Sequence, residues 1–351
     1  MKTFDKNNKM KVLMVGAGSI GQKEIKELKK HPLVQIVGLV ETDEKRRSAM
    51  APFVPKTYTD LEKGIIESNP DLVRIATPPQ THYKLTMTAL RAKKDVYIEK
   101  QETLRVDEMR EIVELSRKME CRVYVRRNAI YTAVYQETWT KMKEIGEVRH
   151  VHWIEPREKY SYWSEYKQKW LRDLPGGIIS EHLPHALYTV RWFLGGEPEV
   201  DDVIHNGEEF HASLKLGNKR GEITYTKPCD LPSLLVIVGS EGTIFMNHSS
   251  YRVFKPRGFE DSRTLEWRTV KANLYDLFGS IGNFMRLVGH FFVRELELDP
   301  RSVYSKSDNY RQFTDIARGG DTGGKFSIDG EEGIRNVELF EKIWRKAGEI
   351  K

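Results

Sequence analysis

Gly16-Ala17-Gly18-Ser19-Ile20-Gly21 follows the short apolar run Lys11 to Val15 and opens a segment, Ile20 to Lys30, whose apolar residues recur at helical spacing. Each glycine has a mechanical purpose at that place. Gly16 permits a tight turn, Gly18 lets the backbone approach a pyrophosphate, and Gly21 allows close packing of the helix. The helix start at Ser19 and Ile20 offers unpaired N–H groups and a partial positive charge to phosphates. Glycine-rich turns are common, and it is the position between strand and helix that gives this one weight. Glu41 lies twenty residues beyond Gly21, at the end of the second apolar run, where an acidic side chain accepts from the hydroxyls of an adenosine ribose. These residues predict a dinucleotide site. The Glu41 carboxylate would repel a 2′-phosphate, which favours NAD over NADP. Arg46 and Arg47, in the next helix, keep NADP open because either could swing onto a phosphate.

Working outward, runs at Lys11 to Val15, Val34 to Val40, Asp71 to Ile75, Asp95 to Ile98 and Arg122 to Val125 read as strands of a parallel sheet. Amphipathic stretches at Ile20 to Lys30, Asp60 to Ser68, Thr81 to Ala92 and Asp107 to Met119 read as its covering helices, with Asp60 and Thr81 as caps. After Val125 a helix from Ala133 to Ile145 precedes strand-like runs with alternating polarity at Glu147 to Ile154, Glu199 to Ile204, Glu209 to Leu216, Gly221 to Tyr225, Leu234 to Gly239 and Gly242 to Asn247. The fold class expected is α/β: an N-terminal Rossmann domain, residues 1–125, and a C-terminal α+β domain, residues 126–351, with a predominantly antiparallel, open-faced sheet. Tyr304 to Lys325, rich in glycine, reads as a long mobile loop, and Glu331 to Ile350 as one long helix.

Composition narrows the function. The chain has 351 residues, of which 39% are hydrophobic, enough for two cores. Its 57 basic and 51 acidic residues interleave to a formal charge of +6, a mild bias that argues against a nucleic-acid partner. Cys121 and Cys229 lie far apart with no zinc-like spacing, as suits a reducing cytoplasm. No stretch approaches the roughly 18–20 apolar residues of a membrane span, and the polar start carries no secretory signal. A soluble cytoplasmic protein is expected.

Two further segments carry a resemblance. Ala76-Thr77-Pro78-Pro79, with His82 shortly after, ends the third strand, and Tyr97-Ile98-Glu99-Lys100-Gln101 ends the fourth. The chain resembles the glucose-fructose oxidoreductase, inositol dehydrogenase and rhizopine catabolism (Gfo/Idh/MocA) family, whose fourth strand ends in Glu-Lys-Pro. That family also carries Gly-Gly-x-x-x-Asp-x-Gly-x-His, matched here by Gly176 to His185 with Glu181 for Asp and Leu183 for Gly. Arg127-Asn128 and the approach from Trp170 to Gly177 extend the likeness. The resemblance implies that Thr77, Pro78, His82, Glu99 and Lys100 lie along the cofactor, and that the chain forms a homodimer or homotetramer through the open face of its second sheet. Gln101, in place of proline, loosens the backbone that holds Lys100.

Oxidising a secondary alcohol requires a group for the hydroxyl proton and a carbon held against the nicotinamide. By resemblance, Lys100 hydrogen-bonds the reacting oxygen and His185 exchanges its proton, while Glu181, four residues before His185, binds a neighbouring hydroxyl or biases the imidazole tautomer. Glu181, His182 and His185 are also metal-donor types, but no metal is expected. Tyr160, Tyr162, Trp163, Tyr166 and Trp170, interleaved with Arg157, Lys159, Lys167, Lys169 and Arg172, suit a carbohydrate-like substrate or serve as a lid. The expectation is an NAD(H)-dependent oxidoreductase acting on a sugar, cyclitol or nucleotide-sugar hydroxyl. Its rivals are an NAD-retaining glycosidase or transferase that oxidises transiently, and a non-catalytic NAD sensor or scaffold.

Overall fold

A computed structural model describes residues 3–156, 169–206, 209–226, 233–247, 251–255, 308–320 and 326–350. Tyr160, Tyr162, Trp163, Tyr166, Arg157, Lys159 and Lys167 lie outside the described residues, as does the Lys169 side chain.

The first sheet is built from β1 (Met10–Val15), β2 (Val34–Val40), β3 (Thr57–Tyr58), β4 (Leu72–Ile75), β5 (Asp95–Ile98) and β6 (Val123–Val125), in the order β3-β2-β1-β4-β5-β6. Every pairing is parallel. The strand order reverses direction between β1 and β4, which is where open parallel sheets place their ligand crevice. Helices α1 (Ser19–Leu28), α2 (Glu44–Met50), α3 (Leu61–Ser68), α4 (His82–Arg91) and α5 (Val106–Lys118) make the crossovers. Asp60 caps α3 by accepting from Lys63 N at 2.8 Å. Thr81 precedes α4 but does not cap it. Its hydroxyl instead donates toward Thr77 Oγ1 and Pro78 O, at 2.7 and 2.8 Å, and so braces the loop after β4.

The second half comprises α6 (Ala133–Lys141), β7 (Val148–Pro156), the short α7 (Lys169–Arg172), α8 (Ile178–Leu194), then β8 (Glu199–His205), β9 (Phe210–Leu216), β10 (Lys219–Thr226), β11 (Leu234–Gly239), β12 (Thr243–Met246) and β13 (Tyr251–Phe254). Their order is β13-β12-β11-β7-β10-β9-β8. The sheet is mixed rather than wholly antiparallel, because β10 runs parallel to β7. The physical reason is the α8 crossover between β7 and the β8–β9–β10 meander, which returns the chain in the direction it left. One face buries Val151, Trp153, Ile223, Tyr225, Leu235 and Ile237 against Leu183, Leu187 and Val190 of α8.

The chain from 308 on corrects one expectation. Within the segment read as a mobile loop, Asp308–Ala317 forms a helix, α9. Its Phe313, Ile316 and Ala317 pack with Val12, Met14 and Tyr97, covering a face of the first sheet. The glycines at 319, 320, 323 and 324 mask an amphipathic run of only ten residues. The last helix, α10 (Gly330–Lys346), packs on α5, β8 and α8, so that it touches both sheets' layers.

Candidate active site

Where β1, β4 and β5 end, a cleft of about 1090 Å³ opens between the first sheet and α8. Gly16, Gly18, Ser19, Ile20 and Glu41 line one end, Thr77 and Pro78 the middle, and Glu99, Lys100, Glu181, His182 and His185 the other. Residues more than 160 positions apart in sequence thus share one space.

The glycine loop fits a pyrophosphate. Gly16 has φ +95, and a Cβ there would lie 2.7 Å from Ala76 O. A Cβ on Gly21 would lie 2.2 Å from Gly16 O, so Gly21 lets the loop fold onto its own helix rather than facing the cleft. At Gly18 an added Cβ meets nothing within 4 Å, which leaves the backbone open to a ligand. Glu41 is buried and accepts from Ala17 N at 2.7 Å and Asp43 N at 2.9 Å. Arg46 clamps it through Nε and Nη2, both at 3.2 Å. Burial would raise the Glu41 pKa, but Arg46 and the two backbone N–H groups outweigh it and hold the carboxyl below its ordinary value. Arg47 donates to the Glu41 and Thr42 carbonyls.

His82, expected along the cofactor, does not line the cleft. It is fully buried, with Nε2 2.7 Å from Thr77 O and Nδ1 2.9 Å from Gln101 O and 3.1 Å from Glu102 O. It ties the loop after β4 to the loop after β5, and thereby braces Lys100. The Lys100–Gln101 peptide is cis, and the Gln101 side chain is buried.

At the far end, Lys100 Nζ donates to Glu181 Oε1 at 2.5 Å and to the Glu181 carbonyl oxygen at 2.6 Å. Glu181 therefore engages the lysine, whereas the imidazole of His185 is met by Tyr188, whose hydroxyl lies 2.8 Å from Nδ1. Burial pushes the Glu181 carboxyl up, against the pull of Lys100. Burial also pulls His185 well below 6.5, helped by the charges of Lys100 and Arg126, so the ring is neutral at physiological pH. Among the described residues no group of three or more His, Cys, Asp or Glu side chains is placed to hold a metal ion.

Sequence reasoning missed the buried charge network beneath these residues. Glu99 Oε2 accepts from Arg74 at 2.5 Å and Arg126 at 2.8 Å, and Glu24 pairs with the same two arginines. Arg126 Nη2 also donates to Asn309 of α9 at 2.7 Å. Burial would raise the Glu99 pKa, but Arg126 and Arg74 hold it down at about 2. An arginine inside the otherwise apolar β4, Leu72-Val73-Arg74-Ile75, was the available signal, since a charge in a doubly covered strand must have partners. Trp170 and Leu171 of α7 close the cleft, with Gln80 Nε2 donating to Trp170 O at 3.0 Å.

Known proteins share this fold. Residues 10–127 match the model of an oxidoreductase family with an NAD-binding Rossmann fold, and residues 141–350 match that family's C-terminal alpha/beta domain. An uncharacterized oxidoreductase of Synechocystis is 25% identical over 198 residues, 54% of this chain and 53% of that protein. The myo-inositol 2-dehydrogenase of Thermotoga maritima is 24% identical over 205 residues, 56% of this chain and 58% of that protein. The chain thus matches little more than half the length of these curated relatives. In structure it is similar to the WlbA dehydrogenase of Bordetella pertussis, solved with NADH and UDP-GlcNAcA, at a TM-score of 0.72 and 17% identity, covering 97% of this chain and 96% of that one. With both domain models matched and the glycine loop, Glu41 and Lys100 on one cleft, the chain belongs to the Gfo/Idh/MocA oxidoreductase family, and its residues 10–127 are an NAD-binding Rossmann fold.

Proposed function

We propose that the protein is an NAD(H)-dependent dehydrogenase acting on a hydroxyl-bearing carbon of a sugar, cyclitol or nucleotide-sugar derivative. Lys100 and His185 are the pair that meets the reacting oxygen and handles its proton. The observation that carries this reading is that Lys100, Glu181 and His185 line the same cleft as the glycine loop. NAD, when bound along Gly16 to Gly21 and Glu41, supplies the hydride acceptor. Glu181 holds the Lys100 ammonium in place, His185 is neutral, and Trp170 offers an aromatic face to sugar C–H groups. The myo-inositol 2-dehydrogenase and UDP-GlcNAcA named for the similar proteins support the substrate class. As further parts of the reading, the chain divides near residue 125, works in the cytoplasm and self-associates through the outer face of its second sheet.

The test is to supply NAD with a panel of cyclitols, aldoses, sugar acids and UDP-sugars and to follow NADH absorbance. Net NADH formation with at least one member supports the dehydrogenase. Product release with no net NADH would mean the cofactor is recycled for elimination chemistry, and tight NAD binding without any turnover would mean a sensor.

A further inference from the structure

Tyr188 lies one turn beyond His185 on α8 and is fully buried. Its ring meets the imidazole edge-on at a centroid separation of 5.7 Å, stacks tilted on Trp192 at 4.6 Å, and carries the Arg127 guanidinium over its face at 5.0 Å. Burial raises the phenol pKa well above its ordinary value, so the O–H proton stays in place at any working pH. A buried hydroxyl must send that proton to an acceptor. Among the described residues the acceptor within reach of the Tyr188 oxygen is His185 Nδ1, at 2.8 Å. The other group that reaches it, the Ala129 backbone N–H, is itself a donor. Arg127 above the ring draws electron density from the phenol and strengthens it as a donor.

We propose that Tyr188 donates to His185 Nδ1 and thereby holds the neutral imidazole as its Nε2–H tautomer, making His185 a hydrogen-bond donor to the reacting oxygen. The inference rests on reading the cleft as that of a dehydrogenase. Tyr188 acts here as a positioning residue. Around the imidazole, Lys100 and Glu99 face it from the end of β5, Arg126 and Arg127 from the segment after β6, and Tyr188 from its own helix. Lys100 Nζ has committed two of its three donors to Glu181 and keeps one. The cleft then presents one N–H from Lys100 and one from His185, the polarity that stabilises a carbonyl or alkoxide oxygen. In the oxidising direction the alcohol proton passes to Lys100 as Lys100 gives one up to the Glu181 carboxylate it already donates to, and in the reducing direction the relay runs backward.

Nitrogen-15 labelling of the histidine rings and two-dimensional NMR of the full-length protein without substrate reads the tautomer directly, with His185→Gln identifying the signals. The expected spectrum has His185 Nε2 protonated and Nδ1 bare. In Tyr188→Phe, which keeps the ring, the preference is lost and the His185 titration midpoint moves up, because a donor to the neutral form has gone. A wild-type spectrum with the proton on Nδ1 overturns the proposal, as does a Tyr188→Phe midpoint that is unchanged or lower. If Tyr188→Phe does not fold, the wild-type spectrum decides alone. The readout needs no turnover: full activity in His185→Gln would remove His185 from the dehydrogenase mechanism while leaving the tautomer assignment standing.

Discussion

Lys100 Nζ and Glu181 Oε1 are 2.5 Å apart, a bond that joins the carboxyl end of β5 to the first turns of α8 across the cleft. The longer glutamate, where the family pattern has aspartate, reaches the lysine from α8. In Glu181→Ala the ammonium keeps only the backbone carbonyl as partner, and turnover falls about 10- to 100-fold through misplacement. Glu181→Gln, which retains an amide oxygen, loses less. NAD affinity is unchanged in both. Steady-state kinetics beside cofactor titration separates the two effects.

We propose that Glu41, with Arg46 clamped on it, sets the cofactor preference. Glu41→Gln removes the charge that opposes a 2′-phosphate and releases Arg46 from its clamp. The ratio of NADP to NAD affinity should rise by about tenfold or more, the scale of one charged hydrogen bond. Calorimetric titration of both dinucleotides checks this.

His185 gives stability a pH dependence of known sign. Its folded pKa lies below 6.5, so beneath pH 6.5 the unfolded chain binds a proton that the folded chain refuses. That penalty grows as pH falls from 6.5 toward the folded value, at about 1.4 kcal/mol per unit of depression. Between pH 7 and pH 5 the wild type should therefore lose more melting temperature than His185→Gln. Equal losses would contradict the direction of the shift.

Glu332 of α10 is buried and accepts from Arg191 Nη1 at 2.9 Å and Arg127 Nε at 3.3 Å. Burial would raise its pKa, but the two arginines hold it below its ordinary value. In Glu332→Ala, Arg127 keeps Glu102 and Arg191 keeps Glu197 as counter-charges, so the loss should be about 1.5–3 kcal/mol of stability, the scale of charged hydrogen bonds. Denaturant unfolding measures it.

Much of the fold was legible because parallel strands covered on both faces read as apolar runs, and Val12 to Val15 or Val96 to Ile98 have no other plausible place. The glycine loop was legible for a different reason, since Gly16 and Gly21 answer local sterics. What stayed hidden was set by distant contacts. Residues 308–317 form a helix because Phe313 and Ile316 meet the first sheet, and the parallel β7–β10 pairing follows from a crossover that no local pattern records. Within the site, Lys100, Glu181 and His185 were found through motif resemblance. Their pairing was not, for the i,i+4 spacing pointed from Glu181 to His185, whereas Tyr188 at i+3 is the imidazole's partner.

The most direct test of the account is Lys100→Ala, assayed for NAD binding and for turnover on whichever polyol or sugar substrate the wild type oxidises. A proton-handling role for Lys100 predicts NAD affinity within about twofold of wild type and turnover lowered by roughly 10² or more, the scale of positioned acid–base help. Near-normal turnover in that variant would contradict it.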